Sequence, residues 1–193
     1  MSGYLEAVRA LCDEREALLM IDEVQTGLGR TGRWFGFEHS GDVRPDVVTL
    51  AKALGNGMPI GACWARADVA AAFKPGDHAT TFGGQPLAAR AALAVLDVME
   101  HENVSARATE QGKRLMAGLA QVKDVRGLGL LIAAELIDGL AAGVVVADCL
   151  DHGLVVNAVT PTSLRFAPPL LVTAEEVDAG IAILKEVLDG RHP

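Results

Sequence analysis

Two short segments that are apolar at nearly every position set the tightest limit on how this chain folds. Leu18-Leu19-Met20-Ile21 runs without a polar residue into Asp22, and Val47-Val48-Thr49-Leu50-Ala51, opened by Asp46, runs into Lys52. A strand with one face in water alternates in polarity. A strand that is apolar throughout needs cover on both faces, as in a parallel sheet flanked by helices. Pro59 to Trp64 repeats the pattern. Candidate covering helices are present: Tyr4, Val8, Leu11 and Cys12 fall on one helical face, and the alanine-rich run from Leu87 to Glu100 carries Leu93, Leu96 and Met99 at helical spacing. The first hundred residues therefore predict an α/β domain with a parallel-rich sheet.

Beyond residue 100 the pattern changes. Helices are predicted from Ala108 to Leu119, Val144 to Leu150 and Ala174 to Leu188, and strands from Leu130 to Leu136, Leu154 to Asn157 and Ser163 to Phe166. Thr173 stands as N-cap of the last helix, and Glu176 three residues later completes a capping box. The reading is a second, smaller α/β domain, with residues 1–100 and 101–193 as the two parts. A length of 193 residues with 50% hydrophobic side chains is enough to bury a core in each.

Charge and cysteine usage exclude some classes of partner. Seventeen basic against twenty-five acidic side chains leave a net charge of −8, so the chain has no general attraction to nucleic acid or to an anionic membrane. No stretch is long and apolar enough to span a bilayer, and the first residues show no basic patch followed by an apolar core. Cys12, Cys63 and Cys149 are odd in number and far apart, which fits reduced thiols in the cytoplasm rather than a disulfide framework. The five histidines have no metal-ligand spacing.

Lys52 and Asp22 carry the chemistry. A lysine at the exit of a buried strand loses hydration, which favours its neutral amine and lets it attack a carbonyl carbon. A carboxylate at the end of a neighbouring strand holds a positive charge in place. Standing alone, Lys52 is more often a solvated surface lysine. Asp22-Glu23 after four apolar residues is also the acidic signature of a nucleoside triphosphatase. That reading requires a Gly-Lys-Ser or Gly-Lys-Thr phosphate loop, and the chain has none. Gly27, Gly29 and Gly32 are interrupted by Arg30 and give no dinucleotide fingerprint.

Three longer segments decide between these readings. Leu19-Met20-Ile21-Asp22-Glu23-Val24-Gln25-Thr26-Gly27-Leu28-Gly29-Arg30-Thr31-Gly32, Pro45 through Lys52-Ala53-Leu54-Gly55-Asn56-Gly57 to Ala62, and Thr80-Thr81-Phe82-Gly83-Gly84-Gln85-Pro86-Leu87-Ala88 resemble, in order and separation, the motifs of class III aminotransferases. The resemblance implies pyridoxal phosphate as cofactor and the PLP-dependent transferase fold type I, with part of the large domain and the small C-terminal domain present. It implies Lys52 as the Schiff-base lysine and proton shuttle, and Asp22 as partner of the pyridine nitrogen. Val24 would lie against the ring, Gln25 would reach its phenolic oxygen, and Thr81 would bind the cofactor phosphate of a partner subunit in a homodimer. Gln85 departs from the asparagine usual in that turn.

The segment Gly153 to Val159 and Ser163-Leu164-Arg165-Phe166-Ala167-Pro168-Pro169-Leu170 is similar to acetylornithine and ornithine aminotransferases. There the arginine binds a substrate carboxylate, a task suited to paired guanidinium donors, which makes Arg165 the substrate-binding residue. Without the family, Arg165 reads equally well as a packing residue. The implied reaction is transfer of the terminal amine of N-acetylornithine or a related ω-amino acid to 2-oxoglutarate. A related aminomutase or decarboxylase and a non-catalytic remnant are the alternatives. Family members are longer, and the phosphate-cradling turn and a ring-stacking aromatic would precede Met1. The chain thus reads as the C-terminal half of a longer enzyme, expected to expose apolar edges and faces when alone.

Overall fold

In the computed structural model, which describes residues 3–191, the chain divides into two compact units. The first comprises the residues up to Leu28 together with Arg33–Asn103, and the second comprises Gly29–Gly32 with the chain from Val104 onward.

The first unit begins with α1 (Tyr4–Glu14), followed by β1 (Met20–Asp22), β2 (Val47–Leu50) and β3 (Ala62–Ala65), a short helix α2 (Ala67–Ala70) and the long α3 (Pro86–His101). Pro86 sits in the first turn of α3, where its missing N–H would have had no helical partner. The sheet order is β1-β2-β3. β1 and β2 run parallel, Met20 beside Val47 and Asp22 beside Thr49, as the unbroken apolar runs suggested. β3 differs from that expectation: it pairs antiparallel to β2, and Trp64 is 53% exposed. Nor is β1 covered on both faces. Met20 is 70% exposed, and α1, the nearest helix in sequence, has no buried residue.

α1 is tied to the sheet by charge. Asp46, 1% exposed at the start of β2, accepts from the Arg9 guanidinium at 2.8 Å and from the Leu19 amide at 2.7 Å, and pairs with Arg66 at 2.7 Å. Burial alone pushes the Asp46 carboxyl up, but the Arg9 and Leu19 hydrogen bonds and the charges of Arg9 and Arg66 hold it below the usual carboxylate range.

The second unit contains α4 (Val104–Gly118), β4 (Asp124–Leu128), β5 (Leu131–Glu135), α5 (Ala142–Asp151), β6 (Asn157–Ala158), β7 (Ser163–Phe166) and α6 (Ala174–Asp189). Its sheet, in the order β4-β5-β7-β6, is antiparallel throughout. The core lies between this sheet and the helices, with Leu115, Leu119, Ile132, Leu164 and Leu184 at its centre. Gly129 turns the β4–β5 hairpin at φ 53°, and a Cβ there would lie 2.5 Å from the Thr31 carbonyl carbon, so a larger residue has no room. Thr173 caps α6 as expected, accepting from Glu176 N at 3.2 Å while the Glu176 carboxylate accepts from Thr173 N at 2.8 Å. Two expectations change. β4, with Asp124, Arg126 and Gly127 in five residues, is an additional strand, and the run from Leu154 pairs only at Asn157–Ala158, leaving Val155 80% exposed.

Candidate functional site

The parallel register of β1 and β2 brings their carboxyl ends side by side, which is where ligands meet parallel sheets in α/β folds. Asp22 ends β1, and its Oδ1 accepts from the Val24 amide at 2.9 Å and from Thr49 Oγ1 at 3.2 Å. Both bonds fall on Oδ1, and among the described residues none falls on Oδ2, which stays open as an acceptor. The adjoining Glu23 amide donates to Thr49 O at 3.0 Å, so backbone and side chain together lock the end of β1 to β2.

Lys52 lies three residues beyond Thr49, at the first position of a short 3₁₀ turn, Lys52–Leu54. Its backbone is left-handed, φ 46°, a conformation that costs an L-residue about 1–2 kcal/mol and that surrounding structure must impose. The turn that follows imposes it: Gly55 N and Asn56 N both reach Lys52 O at 3.2 Å, and Met58 N reaches Gly55 O at 3.0 Å. A Cβ on Gly55 would stand 2.2 Å from Met58 O. One expectation is corrected: Lys52 and Asp22 are both exposed, so within this unit neither side chain is desolvated. No ion pair among the described residues engages the Lys52 ammonium.

The other expected site residues divide between the units. Val24 is half-buried and Gln25 exposed, both in the turn after Asp22. Thr81 is exposed in the loop before α3, the helix that packs on the Lys52–Leu54 turn. Arg165 belongs to the second unit. On β7 opposite Asn157, it donates to Asn157 Oδ1 at 3.3 Å, its Nε is buried without a hydrogen-bond partner among the described residues, and it lines an apolar cavity of about 330 Å³ with Leu115, Phe166 and Ile181.

Two residues were missed by the sequence reading. Thr49 appeared only as part of an apolar run, yet it holds Asp22. Glu23, 2% exposed, accepts from Thr26 Oγ1, from Gly36 N at 2.9 Å and from Phe37 N at 2.9 Å. Its one local signal was an acidic residue followed by a glycine-bearing turn.

An open carboxylate at the end of one parallel strand and, at the end of the next, a lysine in a strained turn that is unpaired among the described residues stand at the carboxyl ends of the β1–β2 pair. Residues 1–188 match the family Aminotransferase class-III, and the chain belongs to that family. It is 51% identical to an acetylornithine aminotransferase of Bifidobacterium longum over 96% of this chain and 45% of that protein. It is 49% identical to one of Methanocaldococcus jannaschii, over 95% of this chain and 47% of that protein. Among solved structures, an ornithine aminotransferase of Plasmodium yoelii superposes with a TM-score of 0.90 at 35% identity, over 98% of this chain and 52% of that one. An N-acetylornithine aminotransferase of Stenotrophomonas maltophilia gives 0.88 at 39%, with the same coverage. The chain spans about half the length of the curated relatives it matches, and over that half it has the fold of these aminotransferases.

Proposed function

We propose that this chain carries the catalytic lysine and ring-binding carboxylate of a pyridoxal-phosphate-dependent aminotransferase acting on N-acetylornithine or a related ω-amino acid, with 2-oxoglutarate as amino acceptor. The observation that carries the reading is the register of Asp22 beside Thr49, which brings Asp22 to the strand end from which the Lys52 turn departs. The first unit then corresponds to part of the large cofactor-binding domain and the second to the small domain.

The donor set fits the group. Lys52 Nζ would bond covalently to the cofactor aldehyde and, when displaced by the substrate amine, move the proton at the reacting carbon. Asp22 Oδ2 would hold the pyridine nitrogen protonated, since an adjacent carboxylate favours the charged form. Val24 would pack on the ring, and Gln25 would donate to its phenolic oxygen. Thr81 would hold a phosphate in the partner copy of a homodimer, and Arg165 would hold a substrate carboxylate through paired donors. When bound, pyridoxal phosphate supplies the electron-withdrawing ring that makes loss of that proton feasible.

The test is amino-group exchange between N-acetylornithine and 2-oxoglutarate by this chain co-expressed with the N-terminal half of the Bifidobacterium longum relative, beside the same pair carrying Lys52→Ala. Lys52-dependent glutamate formation is expected. Exchange no faster than that of the Lys52→Ala pair contradicts the proposal.

A further inference from the structure

Glu23 has the features of a functional residue that the reading above leaves unused: a nearly inaccessible carboxylate next to Asp22, with every polar group engaged. Its amide donates to Thr49 O at 3.0 Å, and its carbonyl accepts from Gly27 N at 3.0 Å. Its carboxylate takes Thr26 Oγ1 and Gly36 N on Oε2 and Phe37 N on Oε1. An ionised carboxylate is acceptor-only, which suits it to three converging donors. The turn from Asp22 to Gly27, which presents Val24 and Gln25, is therefore pinned from both sides. Its ends are closed by the Glu23 backbone, and its flank is held to the residue 36–37 segment by the Glu23 side chain. The packing leaves little slack: a Cβ on Gly36 would lie 3.0 Å from Thr26 Cβ and 3.2 Å from Glu23 Oε2, and one on Gly27 would lie 2.9 Å from Glu23 O.

We infer that Glu23 is a positioning residue for the cofactor: by fixing the Asp22–Gly27 turn it keeps the Val24 amide on Asp22 Oδ1, and so aims Oδ2, together with Val24 and Gln25, at the ring. Glu23 itself touches no reacting atom. The inference rests on the assignment of Asp22 and Lys52 made above. Replacing the carboxylate by an amide sets an NH₂ group against a backbone N–H, which expels the residue 36–37 segment and frees the turn while side-chain size is kept. Gly36→Ala displaces the carboxylate without removing its charge.

The experiment uses the full 193-residue chain with added pyridoxal phosphate. Capture on Lys52 is fixed by borohydride and located by peptide mass, and the pH midpoint of the visible band of the captured cofactor is read in parallel with the thermal melt. Glu23→Gln and Gly36→Ala are expected to lower capture at subsaturating cofactor by about tenfold and to move the midpoint down by about one pH unit, as the ring loses its aimed carboxylate. A lower melting temperature with wild-type capture and midpoint would make Glu23 a fold support alone and overturn the inference. If Glu23→Gln does not fold, Thr26→Val, which deletes one donor and keeps the carboxylate, is read instead. A midpoint shift in the same direction upholds the inference, and an unchanged one overturns it. Absence of capture at Lys52 in the wild-type chain removes the underlying assignment and this inference with it.

Discussion

Thr49 Oγ1 donates to Asp22 Oδ1 at 3.2 Å across the parallel β1–β2 pair, so the strand that leads to Lys52 also holds the carboxylate proposed to serve the cofactor ring. Thr49→Val keeps the shape and removes the donor. The exposed bond is worth about 1 kcal/mol or less, so the fold should survive. Borohydride capture of pyridoxal phosphate at low cofactor concentration should fall because Asp22 is freed to rotate. Unchanged capture would show that Val24 N suffices to orient Asp22.

Lys52 sits at φ 46°, where a glycine would be unstrained. Lys52→Gly should therefore raise stability by about 0.5–1 kcal/mol, the relieved strain less the added freedom of the unfolded chain. Cofactor capture should be lost in the same variant. A chemical-denaturation midpoint equal to or below that of Lys52→Ala would show that the left-handed turn stores no strain at this residue.

Asp46 gives a pH dependence of definite sign. Its folded carboxyl lies below its unfolded value of about 3.9, so the stability it contributes is present above that pH and is lost as pH falls through the lower folded value. Acid unfolding of the first unit should begin below about pH 4, and Asp46→Asn should flatten that limb while costing about 1–2 kcal/mol at neutral pH, since the charge-assisted bonds from Arg9 and Leu19 are weakened while Arg9 keeps its pair with Asp13. A denaturation series from pH 3 to 7 on both proteins checks it.

Arg165 is assigned a carboxylate. In the co-expressed pair, Arg165→Lys should raise KM for N-acetylornithine or 2-oxoglutarate at least tenfold while keeping the charge, because lysine cannot form the paired contact. Equal KM values for both substrates would return Arg165 to a packing role beside Asn157.

The legible and illegible parts of the sequence divide along physical lines. α1, α3 and α6 could be read because their signals are local: apolar spacing, a proline at the first turn, and the Thr173–Glu176 box. The strand ends at Asp22 and the Lys52 turn could be read for the same reason. β4 could not, since Asp124, Arg126 and Gly127 look like loop and are stabilised only by pairing with β5. The antiparallel course of β3 depends on how the chain returns from the glycine turn, which no residue of the strand encodes. Of the donors that bury Glu23, only Thr26 is near it in sequence; the backbone donors come thirteen and fourteen residues later, so the local pattern shows little of its burial. Exposure of Lys52 and Asp22 was misread because apolar runs report what a strand demands, whereas among the described residues β1 pairs only with β2 and Met20 and Asp22 stay exposed.

The most direct measurement of the central claim is the site of covalent capture. The chain has five lysines, Lys52, Lys74, Lys113, Lys123 and Lys185, and reduction with borohydride in the presence of pyridoxal phosphate fixes the cofactor to whichever amine holds it. Peptide mass mapping should place the adduct on Lys52, with Asp22→Asn reducing its yield and leaving the other four unchanged. An adduct spread evenly over the five lysines, or one insensitive to Asp22→Asn, would contradict the assignment of a cofactor site to the carboxyl ends of β1 and β2.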